Sequence, residues 1–169
     1  MKKAIIFIVL SLFWIVLLFP KYILWDKFTQ IMNRQNISII TQKKDDLRYK
    51  FTASSIKVFF QSVQIATIKK AEMKPWIFYN EIDLQDAKIS KNLPLFKEFK
   101  IKNLRAIYSI FSPKKIEIKG TSNLGNFRAE VDIFKHKGYI LFKNINSKNS
   151  VVKSYFKKTK EGMKYELAY

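Results

Sequence analysis

The chain has no cysteine and a single histidine, His136, among its 169 residues. No disulfide can form, and no zinc site can be assembled from Cys and His ligands at their usual spacing. Lack of cysteine suits either side of a membrane, so it fixes no compartment. The signatures of common enzymes are missing too: there is no G-x-S-x-G, no H-E-x-x-H, no P-loop and no G-x-G-x-x-G. Asp45-Asp46 has the chemistry to ligate a cation, but reads as a turn. Glu81, Asp83 and Asp86 lie close in sequence, but alternation puts Glu81 and Asp83 on the solvent face of a strand beside Lys88. A catalytic acid pair needs burial to separate its two pKa values. The expectation is a protein without catalytic residue, cofactor or metal, which is not an enzyme.

Acidic residues are few, 13 against 32 basic ones, for a net charge of +19. Beyond Trp25 the balance is still +16. Such a charge suits nucleic acid, anionic lipid or an acidic partner. Lysine outnumbers arginine 28 to 4, however, and Ile, Asn and Phe are abundant while Ala and Gly are scarce. Specific phosphate recognition more often uses the planar fork of Arg. The basicity therefore reads first as compositional, with Lys43, Lys44, Lys69, Lys70, Lys114 and Lys115 as the candidates for contact with DNA.

What the chain does have is a long apolar run. Ala4–Phe19, AIIFIVLSLFWIVLLF, carries no charge and one Ser, behind Met1-Lys2-Lys3. Counted on through Pro20 to Trp25 it would give roughly 33 Å of helix, enough to span a bilayer with some tilt. No A-x-A-like cleavage triplet follows it, which favours an uncleaved signal anchor over a signal peptide. Trp14, Lys21, Tyr22 and Trp25 are the expected anchor and interface residues, with Lys21 reaching headgroups along its stem. The flanking charges nearly tie. The short N-terminal flank favours residues 1–3 in the cytoplasm, the anchor at 4–25 in a bacterial inner membrane, and the remainder in the periplasm. Leu24, Phe28, Ile31 and Gln35 then fall on one face of an amphipathic stalk helix over 26–36, kinked from the anchor at Pro20.

From Asn36 the period changes to 2. Ile37 and Ile39 alternate, as do Leu47, Tyr49, Phe51 and Ala53, then Ile56, Val58 and Phe60. The pattern continues through Ile82 and Leu84, Phe99 and Ile101, Ile116 and Ile118, Phe127 to Ile133, and Tyr139 and Leu141. This predicts a mainly β domain over 37–169, an open or curled antiparallel sheet with one wet face. Turns are expected at Lys43–Asp46, Lys74-Pro75, Leu93-Pro94, Ser112-Pro113, Asn123–Asn126 and His136–Gly138. The hairpin around Gly138, with arms Val131–Phe134 and Tyr139–Phe142, is the clearest local signal. Ser150–Lys160 reads as a short basic amphipathic helix closed by Gly162, and Met163–Tyr169 as a last strand.

A basic start, one anchor, the L-W-D-K-F segment at Leu24–Phe28 and a β-rich outer domain together resemble the type II secretion system protein N family, in its short single-pass form of epsilonproteobacterial type. Ile116–Ile133, I-E-I-K-G-T-S-N-L-G-N-F-R-A-E-V-D-I, is similar to that family's strand–turn–strand pattern, and Lys158–Tyr165 to its closing segment. The resemblance implies a part of a secretion or pseudopilus machine, including one for natural transformation, whose partners are the membrane and other machine proteins. The same anchor-plus-β plan is shared by periplasmic lipid-handling proteins of the lipopolysaccharide-transport type. That alternative requires an apolar groove, where an assembly component requires a filled core.

Overall fold

The computed structural model describes residues 2–47, 49–90, 99–143, 145 and 156–168. Two helices lead, α1 (Lys2–Leu18) and α2 (Tyr22–Arg34). Ten strands follow: β1 (Ile37–Leu47), β2 (Lys50–Phe60), β3 (Val63–Pro75), β4 (Tyr79–Ile89), β5 (Lys100–Ser109), β6 (Lys115–Ser122), β7 (Gly125–Asp132), β8 (Lys137–Phe142), β9 (Lys157–Thr159) and β10 (Gly162–Ala168). They form one sheet in the order β1-β2-β3-β4-β5-β6-β7-β8-β10-β9. Every neighbouring pair is antiparallel, so the expected mainly β, antiparallel, open architecture is what the chain adopts. Ten strands at about 4.8 Å spacing make a sheet roughly 43 Å across.

The apolar run is shorter than expected. Pro20 has no N–H to continue the ladder, and α1 stops at Leu18 after 17 residues. Among the described residues no helix is long and apolar enough to cross a membrane. Tyr22–Trp25 belong instead to α2, whose packed side is also not the expected one. Leu24, Phe28 and Ile31 are exposed, whereas Trp25, Thr29 and Met32 turn inward. Trp25 decides this. Its indole lies 5.7 Å from the Phe51 ring and forms a core with Phe51, Ala53, Ile56 and Ala71. The bulkiest apolar side chain of α2 gains most by burial, and the helix rotates to seat it.

Hairpin register follows from the turns. Gln61 and Ser62 both have positive φ, the two-residue turn whose twist suits flanking strands. In the β7–β8 turn the Asp132 carboxylate accepts the Phe134 and Lys135 amides at 3.1 and 2.9 Å. His136 takes the left-handed position at φ 50°. The turn therefore comes earlier than expected, over Ile133–His136, and Gly138 lies inside β8 opposite Val131. Lys43–Asp46, expected as a turn, runs within β1 and pairs with β2; the reversal comes after Leu47, so Leu47 ends β1 and Tyr49 lies in the turn before β2. At the C-terminus, Lys157–Thr159 is strand rather than helix. Gly162, at φ 141°, reverses the chain where an added Cβ would strike the Phe142 carbonyl, and this folds β9 back onto β10. Residues 150–155 of the expected tail helix and the Leu93-Pro94 turn lie outside the described residues, while Phe156 and Lys160 are not helical.

An irregular line crosses the sheet. In β2–β5 successive residues on the apolar face are separated by two positions instead of one: Ala53 to Ile56, Ala71 to Ile68, Leu84 to Ala87 and Leu104 to Ile101, each opposite the next. Ser55 and Asp86 absorb the extra residue at φ 54° and 50°. The slip is in register across four strands, so the apolar set stays on one face along their whole length.

Candidate functional site: two faces of one sheet

Directly opposed residues share a face. One such row reads Phe51, Met73, Ile82, Ala106, Ile118, Ala129, Ile140 and Tyr165 from β2 to β10. Parallel to it run Ala53, Ala71, Leu84, Leu104, Gly120, Phe127, Phe142 and Met163. The second row has a gap at Gly120, which Phe127 fills by laying its ring over the glycine. The apolar face is thus continuous across the sheet, but its cover is not. The buried cluster lies under α2, at β2 and β3; beyond it, Ala129 and Phe142 are the remaining buried apolar residues among those described. Phe142 is flanked by Phe127, Phe156 and Tyr165 in an aromatic chain with ring spacings of 5.5–5.7 Å. Ile116, Ile118 and Ile140 are only half-buried, and Ile82 is 40 % exposed.

The opposite face is polar and carries a trough of about 1060 Å³. One row along it is ordered by charge: Asp45, Thr52, Glu72, Asp83, then Arg105, Lys119, Arg128, Leu141, Lys164 and Lys157. Apart from Thr52 and Leu141, the first four strands contribute acids to this row and the last six contribute bases. Where the signs meet, Arg105 Nε donates to Asp83 at 2.8 Å, and Lys74 Nζ donates to Asp83 at 2.8 Å and Glu81 at 2.7 Å. Burial alone would raise the Asp83 carboxyl, but hydrogen bonds from Lys74 and Arg105 outweigh it and hold it below the usual range. The same bonds raise Lys74 and Arg105. The Lys70 and Lys50 ammonium groups converge on Glu72, and the Lys70 bond does most to lower its pKa. Glu81 and Asp83, expected in open solvent, are therefore mostly covered and bound into ion pairs. Past Arg105 the pairing thins. Among the described residues no carboxylate pairs with Lys119, and Arg128 has only Glu117 at 3.9 Å.

The residues expected at an interface separate. Trp14 and Tyr22 are exposed, Tyr22 donating its backbone N–H to Asp46 at 3.2 Å. Lys21 is buried instead of reaching outward, its Nζ donating to the Phe19 carbonyl at 2.7 Å, and Trp25 lies in the core. The six candidate lysines do not form one patch. Lys43 and Lys44 sit on β1, Lys69 and Lys70 on β3, and Lys114 and Lys115 at the β5–β6 turn. Five of them face a carboxylate: Lys43 with Asp45, Lys44 with Asp26, Lys69 with Asp86, Lys70 with Glu72 and Lys115 with Glu130. Sequence reasoning missed the Arg105–Lys119–Arg128 row, although the two-residue loop Asn123-Leu124 already sets Lys119 opposite Arg128. No group of His, Asp and Glu placed to hold a metal occurs among the described residues.

No protein-family model matches the chain, and neither a curated protein nor a solved structure matches it.

Proposed function

We propose that this chain is a non-enzymatic component tethered to a bacterial inner membrane, whose apolar sheet face takes up the acyl chains of membrane lipid. The observation that carries the reading is the apolar face itself, continuous over the sheet yet, among the described residues, covered by a helix only where α2 lies, at one end. A single sheet with half-exposed Ile82, Ile116, Ile118 and Ile140 answers to the open apolar surface required of a lipid handler rather than to a filled core. Continuity with α1 supports lipid as the occupant. The α1 helix exposes Ile5, Ile6, Phe7, Ile8, Leu10 and Ile15 around its circumference, as a lipid-embedded helix does, and α2 then places Trp25 on the same apolar face. With its 17 residues α1 makes roughly 25 Å of helix, which a locally thinned bilayer accommodates. The test is a photo-crosslinker at position 118 of the full chain in cells. Lipid adducts that disappear in an Ile140→Asp variant are expected; adducts to protein alone would sink the reading.

One observation favours a second reading, an assembly component of a secretion or DNA-uptake machine. The outward stripe Leu24, Phe28 and Ile31 on α2 lies exposed, and β1, on which α2 packs, has a far edge with no strand partner among the described residues. A helix or strand of another single-pass machine protein would fit there. A crosslinker at position 31 recovering such a protein is the expected result, and one recovering lipid alone counts against it.

A further inference from the structure

The chain reverses repeatedly at each end of the sheet, and the two ends differ. At one end lie the turns after β3, β5 and β7, each carrying an exposed aromatic: Phe78 at 55 %, Phe111 at 81 % and Phe134 at 69 % exposure. Ile77, Tyr79, Ile110 and Ile133 are exposed beside them. The turns form a connected belt rather than loose tips. Ile110 N–H donates to the Phe78 carbonyl at 3.1 Å, and Ile133 N–H to the Lys114 carbonyl at 2.9 Å. Phe78 and Phe111 stack across adjacent turns with centroids 5.8 Å apart. Lysines interleave with the aromatics. Lys115 is paired with Glu130, and Asp132 is occupied by its own turn. No carboxylate among the described residues pairs with Lys114, Lys135 or Lys137. At the other end, the β6–β7 and β9–β10 turns are Asn123-Leu124 and Lys160-Glu161, and the β2–β3 turn exposes Phe60 and Val63.

The helices say which end is which. α2 runs antiparallel to β1, with Tyr22 N–H on Asp46 and Asp26 on Lys44 at one end and Asn33 on Ser38 at the other. Asp46 closes β1 at the end that carries the aromatic turns. The joint between α1 and α2 therefore lies at that same end.

We infer that this belt of turns, centred on Phe78, Phe111 and Phe134, is a second membrane contact: it dips into the interface of an anionic bilayer with the strands standing up from it. Aromatic rings prefer the headgroup level, and lysines nearby gain from anionic lipid. The inference rests on the anchor reading above for its orientation, and it makes the sheet's apolar face start at the membrane.

Because the chain has no cysteine, single Cys variants carry a spin label at one defined place. Phe111→Cys, Phe134→Cys, Lys160→Cys and Ile8→Cys are each labelled in the full chain. They are reconstituted in phosphatidylethanolamine–phosphatidylglycerol vesicles and, separately, in phosphatidylcholine vesicles. Accessibility to oxygen relative to a nickel chelate reads depth. The expected result is a ratio at 111 and 134 shifted well above that at 160, more so with phosphatidylglycerol present. If 111 and 134 read as water-exposed as 160, the inference is overturned. Immobile labels without oxygen enhancement mean protein covers the belt, and overturn it too. Position 8 judges the anchor alone, so the two failures are separable.

Discussion

Phe51 and Ile118 stand in one row of the same sheet face and meet different fates. On β2, α2 lies over the face and Phe51 is fully buried; on β6, Ile118 is half-buried, and no helix among the described residues lies above it. The polar face divides in the same way. Its first strands hold Glu72 and Asp83 in partly buried ion pairs, while its later strands set Arg105, Lys119 and Arg128 side by side with few acids. Among the described residues the first half is the better packed and paired; the second has a half-buried apolar face and a row of neighbouring cations. Surfaces left incomplete in this way are where a ligand or partner has something to gain.

The sharpest way to break the comparison is to empty each half in turn. Trp25→Ala is expected to cost about 3–5 kcal/mol, since it removes the largest side chain of the covered core. Ile118→Ala should cost less, about 2 kcal/mol, because its side chain is only half-buried. Denaturant unfolding of the full chain in detergent measures both. Equal losses would mean that the second half is as well packed as the first.

Next comes the ion-pair cluster. Asp83→Asn should destabilise by about 1–2 kcal/mol, as charge-assisted bonds from Lys74 and Arg105 weaken. The pH dependence has a definite sign. Asp83 and Glu72 have folded-state pKa values below their ordinary 3.8 and 4.5. Their contribution is therefore present above the unfolded-state pKa and lost as pH falls through the folded one. Stability should drop on acidification below about pH 4, and Asp83→Asn should flatten part of that drop. An acid titration of the unfolding midpoint checks it.

How much of this was legible in the sequence is clear at Ser54-Ser55. Alternation through Phe51 and Ala53 resumes out of phase at Ile56 and Val58, and that slip marks the bulge within β2. Alternation identifies the apolar face because strand geometry is local. It cannot say that β1 runs through four charged residues at Lys43–Asp46, since β2 and the α2 residue Asp26 supply the partners. Nor can it say that α2 turns Trp25 inward, because that choice is made by Phe51, 26 positions away. The turns at Ser112-Pro113 and Asn123-Leu124 were readable for the same reason as the strands; the cross-sheet charge row needs the register of nine pairings at once. Ser55 itself tests the local part. Ser55→Val should cost about 1–2 kcal/mol at its φ of 54°, and Ser55→Gly should be tolerated. Similar stabilities for the two variants would show that the bulge is not fixed by that residue.

The smallest expected effect bears on the second half. Lys119 stands directly between Arg105 and Arg128 on adjacent strands, and like charges directly opposite are unfavourable. Lys119→Glu replaces two repulsive neighbours with two attractive ones and should stabilise the chain by about 0.5 kcal/mol at low salt. Added salt should erase the gain, because the side chains face an open trough. A residue that costs its own sheet stability points to a surface shaped by what it meets rather than by the fold. If Lys119→Glu instead destabilises, the cationic row is tied into the fold after all, and the contrast between the two halves is one of apolar cover alone.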